Sequence, residues 1–293
     1  MKNKPIILII VLSLALVLLS SCFGAGKEGA EQPAQEMTPT PTEAPMAARV
    51  NGEGILQAEF ESELQRYRSG AASAEIEVPD EKARQEVLDF LVEQTLFKQA
   101  AVNNGYVASE EELSARLAEL TDARGGQAAL YAFLAENFYT AESFRSALAR
   151  DLSVIWMRNF LLGQVPNATE QVHARQILLD SQNAAIAVLR QLEVGTPFAE
   201  LAFDYDPLTG GELGWFPRGY LFQPAVEEAA FALQPSQFSG IIETDYGFHI
   251  VEVIERDPQR VLSVDALLAV QRAAIDAWLA DQRAQSTIEI YVN

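Results

Sequence analysis

The sequence predicts an α+β protein in which an all-helical block, built from residues at both ends of the folded part, carries a small inserted α+β block. Three observations predict it. Apolar residues make up 49% of the 293 and charged residues 21%, so the chain can bury cores and is not disordered in bulk. Apolar positions recur at helical spacing from about Phe60 to Phe160 and again from Val264 to Leu279, whereas short strand-like and helical runs alternate from Val172 to Ile254. A lone terminal helix cannot bury its own stripe, so the last one is expected to pack back on the first block and make the middle an insertion.

Element by element, Val50-Asn51-Gly52-Glu53 reads as a short strand turning through Asn-Gly. Ile55, Phe60, Leu64 and Tyr67 follow at helical spacing. Pro79-Asp80 starts a second helix, with Val87, Leu88, Leu91, Leu96 and Phe97 as its buried stripe, and Asn104-Gly105 stops it. Ser109 followed by Glu112 is a capping-box start for a third helix through Leu113, Leu117 and Leu120. Gly125-Gly126 separates it from a helical stretch at Ala128 to Asn137, and Thr140 opens a long helix that Gly163 and Pro166 end. Phe97, Phe144 and Trp156 read as core packing.

After Pro166 a strand is expected at Val172 to Leu179, a helix at Asn183 to Leu192 and a short helix opened by Pro197-Phe198. A strand at Leu213 to Phe216, a helix near Val226 to Phe231 and a last strand at Phe248 to Ile254 complete a small, mostly antiparallel sheet. The final helix spans Ser263 to Gln285. The expected partition is residues 1–21, 22–47, 48–166, 167–258 and 259–293.

The first two of these segments are an address and a spacer. Lys2 and Lys4 precede an apolar run from Ile6 to Leu19, too short for a convincing span. The following Leu19-Ser20-Ser21-Cys22 resembles the lipobox of bacterial lipoproteins and holds the single Cys of the chain. The resemblance implies cleavage before Cys22, a diacylglycerol thioether on it and an extracytoplasmic place in the bacterial cell envelope. Residues 22–47, rich in Gly, Ala, Glu, Gln, Pro and Thr, read as a flexible linker.

Charge and composition narrow the chemistry. Against 21 Lys+Arg stand 41 Asp+Glu, a net charge of −20, and such a surface repels phosphate backbones, which argues against a nucleic-acid partner. One Cys and two His argue against a Cys/His metal centre and against a disulfide framework. Neither a metal nor a cofactor is expected.

The densest signal is Gly210-Gly211-Glu212-Leu213-Gly214-Trp215-Phe216, then Phe231-Ala232-Leu233, then Thr244-Asp245-Tyr246-Gly247-Phe248-His249-Ile250. With Val172 to Leu178 and Thr196 to Ala202, these runs resemble the parvulin family of peptidyl-prolyl cis/trans isomerases from about Asn167 to Asp257. The flanking helices, with Val50 to Glu53 and Ala58 to Phe60, resemble the chaperone module of SurA- and PrsA-type foldases. The resemblance implies a membrane-anchored foldase that isomerises X-Pro bonds and binds unfolded exported polypeptides. Carried over by motif, Asp206, His249, Thr244 and Gln176 would be the catalytic set. Leu213, Leu221 and Val226 would line a proline pocket, with Phe216 and Phe231 packed behind it.

Two positions depart from the family pattern. Gln176 stands where parvulins usually have a first-strand His, and Val226 where a Phe commonly closes the pocket. His173 does not replace the missing histidine, because an offset of three along a strand points to the opposite face. These departures favour a second reading, a holdase that binds extended polypeptide without useful turnover. A solute-binding lipoprotein would need two similar lobes, and a serine hydrolase a Gly-x-Ser-x-Gly elbow; the sequence has neither. With four Arg against many acids in the inserted block, a phosphopeptide preference is not expected.

Overall fold

The computed structural model describes residues 44–292. The expected leader, Cys22 and most of the expected linker lie outside the described residues. Met46 and Ala47, assigned to that linker by sequence, are already strand: β1 (Met46–Val50) pairs antiparallel with β2 (Glu53–Leu56). Asn51 and Gly52 make the turn with φ of 52° and 84°, the two left-handed residues that a tight hairpin between right-twisted strands requires.

Helix α1 (Gln57–Ser73) follows and buries Phe60 and Leu64. Helix α2 (Asp80–Asn103) buries an unbroken stripe that includes Val87, Leu91 and Phe97. The capping box expected at Ser109 is present at the start of α3 (Glu110–Arg124), and a second one, Thr140 with Ser143, starts α5 (Ala141–Leu162). Between them lies α4 (Gln127–Glu136). Of Leu113, Leu117 and Leu120 on α3, only Leu113 is buried; Leu117 lines an open cavity of about 470 Å³ with Leu130, Leu134 and Phe144. Phe144 therefore lines a cavity where the sequence suggested core.

The middle of the chain folds into a four-stranded antiparallel sheet in the order β4 (Glu212–Pro217), β3 (Ala168–Leu179), β6 (Gly247–Val261), β5 (Ile242–Thr244). Strand β6 runs on past residue 258, where the sequence placed a boundary, because Ala168 and Thr169 still pair with Val261 and Arg260. Alternation along the strands divides the sheet into two faces. Ile177, Leu179 and Ile250 face α6 (Gln182–Glu193) and α7 (Phe198–Tyr205). Val172, Ala174, Phe216, Val251 and Val253 face α8 (Pro224–Ala232) and bury Val226, Ala230 and Phe231 against them.

Helix α9 (Val264–Gln285) returns to the first block. Its Trp278 stacks on Phe97 with ring centroids 4.7 Å apart, and Arg283 reaches Asp89 at 3.1 Å and Glu93 at 3.2 Å on α2. Strand β7 (Ile288–Ile290), which the sequence did not suggest, then pairs with the free side of β1. Asn51 ties this junction together: its amide N–H donates to Thr287 O at 2.8 Å, and its side-chain oxygen accepts from Thr287 N at 3.0 Å. No described helix is long and apolar enough to cross a membrane.

Candidate functional site

Alternation along β3, β5 and β6 places three polar side chains on the α8 face of the sheet. Ile242 pairs directly with His249, so Thr244, two residues along, shares its face; Leu178 also pairs with His249, so Gln176 lies diagonal to it. The three form one row. His249 Nδ1–H donates to Gln176 Oε1 at 2.8 Å, and the Thr244 hydroxyl donates to His249 Nε2 at 2.8 Å. The backbone N–H of Tyr246 donates to the same hydroxyl oxygen at 3.1 Å.

His249 is buried at 3% exposure, and burial lowers its pKa below the usual histidine range. It is therefore neutral at pH 7, one ring nitrogen donating and the other accepting. With its oxygen turned to the imidazole, the Gln176 amide keeps its NH₂ for a partner from outside.

Above the row is a cavity of about 180 Å³ lined by Gln176, Leu213, Leu221, Phe222, Gln223, Val226 and His249. Its walls are apolar except for the Gln176–His249 floor and Gln223, and its size suits one small side chain or ring. All three expected lining residues, Leu213, Leu221 and Val226, are in it. Phe216 and Phe231 lie behind, edge to face at 6.0 Å, and stiffen the wall that Val226 presents.

Phe222 was not found by sequence reasoning. It is 80% exposed and makes an edge-to-face contact with Tyr246 at 5.7 Å, which sets two aromatic rings at the mouth. An aromatic directly before the Gln223-Pro224 helix start was the available signal. It supplies ring surface from the loop where Val226, on the helix, supplies little.

Asp206 is not brought to this row. Its carboxylate accepts from the backbone N–H groups of Leu208 and Thr209, each at 3.2 Å, and from the Thr209 hydroxyl. These bonds, the Thr209 hydroxyl first, hold its carboxyl below the ordinary range. It lines a different cavity, of about 560 Å³, on the far side of Gln176. The physical reason is the short connection to Gly210-Gly211, which curls the chain into a turn around its own aspartate. That turn still serves the site: Gln176 N–H donates to Gly211 O at 2.8 Å, and a Cβ on Gly211 would stand 1.8 Å from Gln176 O. Only glycine fits there.

His173 lies off the row, as the offset along the strand predicts. It stacks on Trp215 at 5.4 Å and reaches Glu212 at 2.5 Å and Glu255 at 3.8 Å. Among the described residues no group of His, Cys, Asp or Glu is arranged to hold a metal ion.

Comparison with known proteins covers both blocks. The family model for a SurA-like N-terminal domain matches residues 1–157, and that for a PPIC-type PPIase domain matches residues 161–257. The foldase protein PrsA of Halalkalibacterium halodurans is 36% identical over 129 residues, 41% of this chain and 38% of that protein. The chaperone SurA of Methylobacillus flagellatus is 32% identical over 148 residues, 43% of this chain and 34% of that protein. These two matches take in little more than a third of the relatives' own length. The foldase protein PrsA of Caldanaerobacter subterraneus is 26% identical over 226 residues, 71% of this chain and 72% of its own. Among solved structures, the peptidylprolyl isomerase PrsA from Bacillus cereus has a TM-score of 0.45 at 19% identity, covering 83% of this chain and 88% of that one.

Proposed function

Because the chain belongs to the family with a SurA-like N-terminal domain and carries a PPIC-type peptidyl-prolyl isomerase domain, we propose that it is an envelope foldase that isomerises X-Pro bonds in unfolded exported polypeptides. Residues 48–166 and 259–293 would form its chaperone module and residues 167–258 its isomerase block. Cys22 would carry the lipid anchor. The observation that carries this reading is the small apolar cavity floored by Gln176 and His249, the latter held in turn by Thr244.

Rotation about X-Pro faces a barrier of about 20 kcal/mol because amide resonance must be lost. In this reading Leu213, Leu221 and Val226 hold the proline ring while the preceding carbonyl turns. The Gln176 NH₂ donates to that carbonyl, and a hydrogen bond that strengthens as the amide twists favours the transition state over the planar ground state. His249 fixes the Gln176 amide, and Thr244 fixes His249. No proton is transferred, so a glutamine serves where an imidazole is usual. Asp206 holds the Gly210-Gly211 turn against Gln176 and takes no part in the row.

The test is a protease-free isomerisation assay on the purified chain, with His249→Ala as control. Acceleration above the uncatalysed rate that the variant loses supports the reading, and no acceleration overturns it. A soluble version must start before Met46, since β1 begins there. For the anchor, incorporation of labelled fatty acid that Cys22→Ser abolishes is expected; equal labelling of both forms would exclude it.

The holdase reading draws on a separate observation, the apolar cavity of about 470 Å³ between α3, α4 and α5. If the chain suppresses aggregation of an unfolded client without accelerating isomerisation, this second reading replaces the first.

A further inference from the structure

The loop from Arg218 to Gln223 carries two walls of the proposed proline pocket, Leu221 and Phe222, yet it has no strand or helix of its own. One side chain holds it. Glu227, in the first turn of α8, is 9% exposed, and its carboxylate accepts from three successive backbone N–H groups. Gly219 N–H reaches Oε1 at 2.7 Å; Tyr220 and Leu221 N–H reach Oε2 at 2.9 Å each. Among the described residues these amides have no other acceptor.

The arrangement is specific to a carboxylate. Three converging donors need two oxygens and no competing N–H, and both oxygens are used. The N-terminal end of α8 adds a favourable field for negative charge at that place. The loop is also pinned from behind: Gly219 has φ of 80°, and a Cβ there would meet Ala273 Cβ on α9 at 3.2 Å. Leu221 and Phe222 thus stand on a backbone clamped between a buried carboxylate and a helix.

We propose that Glu227 is a positioning residue for peptidyl-prolyl isomerisation, which sets the Leu221–Phe222 wall of the pocket and so governs capture of the proline ring. It touches neither the ring nor the turning amide. This rests on the functional reading above, and it makes a demand that reading does not: loss of Glu227 impairs binding and leaves the Gln176–His249–Thr244 chemistry intact.

The experiment compares the full chain in detergent with its Glu227→Gln and Glu227→Ala variants. Amide exchange at Gly219, Tyr220 and Leu221 is expected to quicken about 100-fold in Glu227→Ala, less in Glu227→Gln, with β3 and β6 unchanged. With an Ala-Pro peptide, KM is expected to rise about tenfold while kcat stays within about twofold, the Gln variant falling between. Unchanged exchange at the three amides overturns the proposal, and so does a fall in kcat at constant KM. Should the wild-type chain not isomerise, the functional reading fails by itself; exchange at the loop and weaker binding of the same peptide in an NMR titration then decide the role of Glu227.

Discussion

The two histidines of this chain sit on opposite faces of one small sheet, in environments of opposite character. His249 is buried between a neutral amide and a neutral hydroxyl. His173 is half-buried on a tryptophan, with carboxylates at 2.5 and 3.8 Å. His173 is held by a ring stack and by carboxylates near its ring nitrogens, whereas an imidazole between Gln and Thr is placed for a fixed pattern of donors and acceptors. In the proposed isomerase, this contrast assigns the row around His249 to orienting a hydrogen bond rather than to relaying protons.

The largest effect expected from this contrast is on turnover. His249→Ala should lower kcat/KM for an X-Pro peptide about 100-fold, in line with loss of a preorganised polar group, and His173→Ala should change it less than about twofold. Equal losses in an isomerisation assay would break the comparison. Thr244→Val removes the donor to Nε2 and frees the imidazole to turn; a fall of about tenfold is expected, the worth of one hydrogen bond.

A pH profile sharpens the contrast further. The folded state depresses the pKa of His249, so the unfolded chain takes up the proton first. The stabilising contribution of neutral His249 is therefore full above the ordinary histidine value of about 6.5 and is lost as pH falls through the lower folded value. Activity should hold level down to about pH 6.5 and drop several-fold only on further acidification, as protonated Nε2 no longer accepts from Thr244. A rate that climbs from pH 6 to 8 would point to proton transfer instead. The smallest effect belongs to Asp206→Ala: kcat/KM within about threefold, with the thermal midpoint lowered by a few degrees as the Gly210-Gly211 turn loosens. A fall as deep as that of His249→Ala would return the aspartate to the catalytic row.

Much of this was legible along the chain because its signals are local. Ser109 with Glu112 and Thr140 announce helix starts within one turn, and Asn51-Gly52 admits few turns other than the one it makes. The row of Gln176, Thr244 and His249 came from the family resemblance carried over motif by motif, and strand alternation kept His173 out of it. What stayed hidden depends on contacts distant in sequence or on where a side chain turns. β7 is three residues long, and its partner lies at the other end of the folded part. Glu227 on a short helix looks like a solvated charge until the loop before it folds over its carboxylate. Asp206 could face the row or its own turn, and only the length of the 206–211 connection decided between them.

Strand β1 has neighbours on both sides, β2 immediately after it and β7 more than two hundred residues later. A chain made from its amino end at about 5–20 residues per second leaves that second edge open for many seconds. The inserted sheet, whose strands all lie between Ala168 and Val261, has every partner in hand before α9 emerges. The order of birth thus sets an order of maturation. The isomerase block can ripen first, and the helical block stays unlatched until Thr287 arrives at Asn51 and shuts the edge.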